Sequence, residues 1–275
     1  VRFDHAVLVV NDLEAASRDF AELGFTVTPG GEHAETPTGN CLIGLADGAY
    51  LELIAFRQPL APPGLFAGDP RALAGEPSPV RRMVARWEAC GEGIAHFAVC
   101  PDHVESSIAR ARAAGLHLSG PNAGARLRPD GQRVAWQTAI PDSLGVPFYC
   151  ADVTERAFRV PGGTAARHAN GAVGIRQMVV AVADLQRASD AYEALTGCAP
   201  GPERQADDLG ARCVDVDLPD CRLTLACPAA SQSPLRRALS RRGEGPYLLK
   251  LRAPGRSAPT PLDVGLAHHA LIELV

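Results

Sequence analysis

Apolar residues along this chain recur at two spacings. Residues 3–10 form a largely apolar, β-branched run of strand length, and behind it Leu13, Ala16, Phe20 and Leu23 recur at helical spacing. Asn11 and Asp12 supply N-cap candidates, and Gly24 is placed to end the helix in a left-handed conformation. The pattern returns twice, at residues 96–118 and at residues 177–200. In the second copy Asp102 starts the helix, Val104, Ile108 and Ala111 face the core, and Gly115 ends it. Asp184, Leu185, Ala188, Tyr192, Leu195 and Gly197 take those places in the third.

Strand signals follow each helix. After the first they lie at residues 25–28, 40–45 and 50–56, and after the second at 126–127, 132–140 and 146–150, hinged on Pro129-Asp130-Gly131. After the third they lie at 212–216 and 221–226. The unit is therefore βαβββ, and a fourth, eroded copy follows Gly243-Glu244-Gly245, with strands at 247–251 and 270–275. A four-stranded sheet alone leaves an apolar face in water, so units must pair. The expectation is an α+β fold of two half-open mixed barrels, the second degenerate. Residues 1–154 form the first domain, 155–171 a linker and 172–275 the second domain. The Pro- and Gly-rich connector 58–79 reads as an active-site cover or an exposed insertion.

Composition narrows the function. The net charge is -4 with a pI near 6.1, which gives no electrostatic case for a nucleic-acid partner. Of 27 basic residues only Lys250 is lysine, a coding bias typical of high-GC bacterial genomes. No apolar run approaches the 18 or more residues of a membrane span, and the first residues lack a signal-peptide pattern, so a cytoplasmic chain with no membrane partner is expected. The eight cysteines include no CxxC and read as free thiols.

The ionisable residues fall in register with the repeat. His5 lies in the first strand, His96 takes the matching place in the second unit, and Glu52 lies in the strand YLELIAF. Strict alternation puts His5 on one face with Phe3, Val7 and Val9, and Glu52 on one face with Tyr50 and Ile54. A carboxylate buried unpaired in such a strand costs several kcal/mol. A divalent metal (Zn, Ni, Mn or Fe(II)) held by His5, Glu52 and His96 resolves that cost. Pairing of Glu52 with Arg126 or Arg133 is the plainer alternative. His33 and Asn40, in GGEHAETPTGN, and Tyr149, in PFYCAD, are the candidate substrate contacts, although Gly and Asn are also ordinary turn residues. Trp136 reads as core, and His268 and His269 as a site near the final strand.

These motifs together resemble the vicinal oxygen chelate superfamily, in its glyoxalase-like branch. They are HxxLxVxDL from His5, LGF from Leu23, GGxH from Gly30, TGN from Thr38, YLELIAF from Tyr50 and RPDG from Arg128. The resemblance implies four strand ligands around a divalent ion. Three fall on His5, Glu52 and His96. The fourth falls near Ala151, where the expected carboxylate is missing and Asp152 would face away unless the register shifts by one. In the second domain the matching positions hold Gln177, Thr224, Leu248 and Glu273, a poor metal site.

The implied activity is metal-dependent lyase, isomerase or hydrolase chemistry on a small oxygen-chelating organic substrate, with Glu52 as candidate base. A non-haem Fe(II) dioxygenase and a metal-free small-molecule binding or resistance protein are the rivals. Exposed sheet edges allow a homodimer.

Overall fold

The computed structural model describes residues 1–33, 36, 38–57, 83, 87, 90–143, 145–230 and 232–275. The connector 58–79 lies outside the described residues. The first unit gives β1 (Arg2–Val9), α1 (Leu13–Glu22), β2 (Thr28–His33), β3 (Thr38–Gly44) and β4 (Tyr50–Phe56). The second gives β5 (Gly93–Cys100), α2 (Val104–Ala113), β6 (Leu118–Leu127), β7 (Arg133–Pro141) and β8 (Phe148–Asp152). Asp12 caps α1 through the Glu14 and Ala15 amides, whereas α2 starts after His103 without a side-chain cap. Gly24 and Gly115 follow these helices at φ +85° and +86°, which favour glycine.

These eight strands close into one barrel in the order β1-β4-β3-β2-β6-β7-β8-β5. Each unit pairs its first and last strands in parallel, β1 with β4 and β5 with β8. The units join through antiparallel pairs, β1 with β5 and β2 with β6. The segment GGEHAETPTGN is thus mostly strand: Gly30 to His33 end β2, and Thr38 to Asn40 begin β3. Pairing against β4 and β6 overrides the turn propensity of its Gly and Asn residues.

The segment expected as a linker folds against the barrel. It carries a short helix, α3 (Arg156–Arg159), and a 3₁₀ turn (Gly163–Ala166), and Arg159 is 3% exposed. The second half then adds β9 (Gly174–Ala181), α4 (Leu185–Thr196), β10 (Arg204–Ala206), β11 (Ala211–Asp217), β12 (Arg222–Pro228), α5 (Pro234–Arg242), β13 (Gly245–Arg252), β14 (Thr260–Pro261) and β15 (Ile272–Leu274). They form a seven-stranded open sheet in the order β10-β11-β12-β9-β13-β15-β14. Asp184 caps α4 and Gly197 ends it at φ +74°.

One apolar layer runs outside the barrel, from Phe3, Ala6, Leu8 and Phe20 through Phe97 and Tyr149 into Met178, Tyr192 and Leu249 of the second sheet. The two halves therefore share a core. Tyr149 belongs to this layer. It is fully buried, its hydroxyl donates to the Leu195 carbonyl oxygen of α4, and burial pushes its pKa up to about 12. It lies on the outward face of β8, so it does not meet the substrate contact expected of it.

Candidate functional site

The barrel interior holds a cavity of about 880 Å³, counting its open mouth. Its walls are apolar, from Val7, Leu42, Ile54, Ile140, Phe148 and both tryptophans, Trp87 and Trp136, with Met83 beside them. One side is polar: His5, His33, Asn40, Tyr50, Glu52, Arg126 and Arg159 line it. Trp136, expected in the core, is a cavity wall, its ring edge-on to His33 at 5.9 Å.

A register shift on β1 and the facing of β8 decide which side chains reach this space. The β1–β5 pairing slips between Phe3 and His5, a bulge that puts Phe3 in the outer layer while His5, Val7 and Val9 turn inward. Strict alternation had put Phe3 with His5, and the bulge at Asp4 is why it does not. On β8 the inward residues are Phe148 and Cys150, whereas Tyr149 and Ala151 pack on the outer layer. Cys150, not Ala151, therefore faces the cavity, and Asp152 lies on the same side.

His5 and Glu52 come together. The parallel register sets Tyr50 beside His5 and Glu52 beside Val7, and the His5 and Tyr50 rings stack at 4.6 Å. His5 Nδ1 donates to Asp4 Oδ2 at 2.7 Å, because a carboxylate can only accept. That leaves His5 Nε2 facing Glu52 Oε2 at 3.4 Å. Across the carboxylate, His33 Nε2 lies 3.5 Å from Oε1, and Asn40 Nδ2 donates to the same oxygen at 2.6 Å. His33 Nδ1 is fixed by Thr38 Oγ1 at 2.8 Å. Burial raises the Glu52 pKa, but the hydrogen bond from His33, the charges of His5 and His33 and the Asn40 bond outweigh it and hold the carboxyl at about 2. Neither Arg126 nor Arg133 pairs with it.

His96 stays apart. It lies opposite Val7 on β5, but its Nε2 donates to the Val146 carbonyl oxygen at 3.0 Å. The Phe148 ring packs on both His96, at 5.0 Å, and His5, at 5.5 Å. That commits Nε2 and leaves Nδ1 as the ring's ligand atom, and His96 is not among the residues that line the cavity.

Behind His5 stands an ion network that alternation did not foresee. Asp4 is fully buried and accepts from Arg159 Nη1 and Nη2 at 2.8 and 3.0 Å and from Arg156 Nη1 at 2.6 Å. Burial opposes its ionisation, yet Arg159 and His5 hold its carboxyl well below the usual range. Both arginines also bond Asp152, and Arg159 reaches the Tyr50 hydroxyl at 2.7 Å. One signal could have found Asp4: the cost that singled out Glu52 in an apolar strand applies equally to a neighbour of His5. Arg156 and Arg159 carried no such signal. His268, far from the cavity, bridges Asp19 and Glu92 at 3.0 and 2.9 Å.

Two donor groups can be tested against a divalent ion. Ligand atoms of Asp4, His5 and Cys150 lie within 4.8 Å of one another. The chemistry does not fit, since both Asp4 oxygens are taken by guanidinium groups and burial pushes the Cys150 thiol up, keeping it protonated. The His5–Glu52 pair does fit. With Nδ1 committed to Asp4, His5 turns Nε2 toward an ionised carboxylate, and a proton or a metal cation between the two satisfies both. Ligands about 2.1 Å from a tetrahedral ion stand roughly 3.4 Å apart, which is the spacing of this pair. A carboxylate holding the far imidazole nitrogen is the usual support of a histidine ligand.

Comparison with known proteins agrees with this architecture. The family model described as a glyoxalase-like domain matches residues 3–196. A hypothetical protein from Staphylococcus aureus superposes over 100% of this chain and 98% of its own, with a TM-score of 0.71 and 13% identity. A triple mutant of 4-hydroxymandelate synthase from Streptomyces coelicolor superposes over 91% of this chain and 70% of its own, with a TM-score of 0.60 and 18% identity. Methylmalonyl-CoA epimerase from Mycobacterium tuberculosis is 22% identical over 38% of this chain and 89% of its own, with a TM-score of 0.35. No curated protein matches the chain in sequence.

Proposed function

Given that the chain belongs to the glyoxalase-like domain family, we propose that the barrel cavity is a metal-dependent active site of the lyase or isomerase type. Its substrate is a small organic molecule with oxygen substituents. The observation that carries this reading is His5 Nε2 set 3.4 Å from the ionised Glu52 carboxylate. His5 and Glu52 would hold the ion, with His33 beside them. A divalent ion there supplies Lewis-acid polarisation of a substrate oxygen.

The chain's own groups do the rest. Asp4 fixes the His5 ring, and Arg156 and Arg159 fix Asp4. Asn40 steadies Glu52 Oε1, where the carboxylate takes a proton from the substrate. His33 Nε2, 3.5 Å from the same oxygen, helps hold the carboxylate in place. Leu42, Ile54, Trp136 and Phe148 keep water from the rest of the cavity.

Elemental analysis of protein purified without chelator tests this. The expected result is near-stoichiometric metal that is lost in His5→Ala and Glu52→Gln and retained in His96→Ala. Failure to take up Zn, Ni, Mn or Fe(II) on reconstitution would overturn it. The metal found ranks the lyase reading against a dioxygenase, for which two histidines and one carboxylate are also a suitable set. A metal-free binding protein is favoured by one observation, the bond that turns His96 toward Val146. In that case a proton on His5 bridges to Glu52.

A further inference from the structure

Among the described residues, charge inside the barrel is matched group by group, except at one position. Arg156 and Arg159 share Asp4 and Asp152. Glu52 is engaged by Asn40, His5 and His33. Arg126, 3% exposed, gives its hydrogen bonds to the carbonyl oxygens of Gly30 and Arg159, and no described carboxylate lies within ion-pair distance. A guanidinium stays charged at any pH at which proteins fold. Burying one without a contacting anion is costly, and a ligand that brings the anion offsets that cost.

The surroundings say what the ligand is. Arg126 lines the same cavity as Glu52 and stands beside Asn40 across Gly30, where any side chain would collide with Asn40. The apolar wall includes Trp87, Trp136, Ile140 and Phe148. One unmatched cation near a carboxylate suits a monoanion better than a phosphate dianion, which Glu52 would repel. The walls suit an aryl or alkyl body. We propose that the ligand of this cavity is an apolar-bodied monocarboxylate, and that Arg126 binds its carboxylate. This rests on the cavity being the substrate site and names the substrate class.

The chain's two tryptophans both line the cavity, so intrinsic fluorescence reads binding directly and needs no turnover. Phenylacetate and 3-phenylpropanoate are titrated against their neutral amides. The expected result is saturable quenching with the acids at least about tenfold tighter than the amides. That ratio is expected to fall to near one in Arg126→Gln and to recover in part in Arg126→Lys. Repeated on chelator-treated protein, the titration is expected to keep the preference, so failure of the metal reading and failure of this one are read separately. Equal binding of acid and amide by the native chain, or no saturable signal from the acids, would overturn the proposal whether or not the variants fold. So would a preference that persists in Arg126→Gln.

Discussion

The barrel and the open sheet are built from the same unit, and they diverge most at two matched positions. In the barrel, His5 and Glu52 stand 47 residues apart, and in the sheet the same spacing joins Gln177 to Thr224. Gln177 Nε2 donates to Thr224 Oγ1 at 2.6 Å, and that hydroxyl donates to Asp215 Oδ1 at 2.6 Å. Asp215 pairs outward with Arg204 and Arg222. Each polar group in this chain already has its complement, so nothing there calls for a cation. In the barrel, closure places a carboxylate and an imidazole nitrogen face to face in a desolvated interior. The same backbone positions are a site in one half and a finished hydrogen-bond chain in the other.

The largest expected effect probes the ion networks of the two halves. Arg159→Ala removes two of the hydrogen bonds to the fully buried Asp4, leaving Arg156 and His5, and should cost about 3–5 kcal/mol. Arg222→Ala removes a half-exposed pair and should cost less than about 1 kcal/mol. Urea denaturation of both variants checks the contrast, and equal losses would break it.

Next comes pH. The Glu52 carboxyl is held at about 2, below its ordinary value of 4.5. Its ionised form therefore adds stability that is fully present above about pH 4.5 and is lost as pH falls toward 2. The stability gap between the native chain and Glu52→Gln should shrink across that window, measured by denaturation of chelator-treated protein. A gap that does not change with pH would contradict the assignment.

Asp4→Asn should weaken metal binding by about 10–100-fold, because it loosens the support of His5; competition against a chromophoric chelator measures this. The smallest effect is expected at Tyr149→Phe. It should cost about 1 kcal/mol through the lost bond to Leu195 and leave metal affinity unchanged. A change in affinity there would return Tyr149 to the site.

The repeat made most of the fold legible, since strand and helix periods recur wherever the outer apolar layer is built. Gly24, Gly115 and Gly197 end their helices as expected. Glu52, His5, His33 and Asn40 were legible as polar residues set among apolar or turn-like neighbours. What stayed hidden depended on register and on distant pairing. The bulge at Asp4 moves Phe3 to the other face, and no local pattern marks it. Whether Ala151 or Cys150 faces inward turns on a one-residue shift. Arg159 reaches Asp4 across 155 residues, from a segment whose composition reads as a linker. His96 repeats the position of His5, yet its ring is held by Val146 and Phe148, contacts that only the folded barrel makes.

The central claim, that His5 and Glu52 hold a cation inside the barrel, is tested most directly by anomalous diffraction from zinc-soaked crystals. One strong anomalous peak is expected within bonding distance of His5 Nε2 and the Glu52 carboxylate, with none at His96. A peak on His96, a peak between Asp4 and Cys150, or no peak in the cavity would contradict the claim.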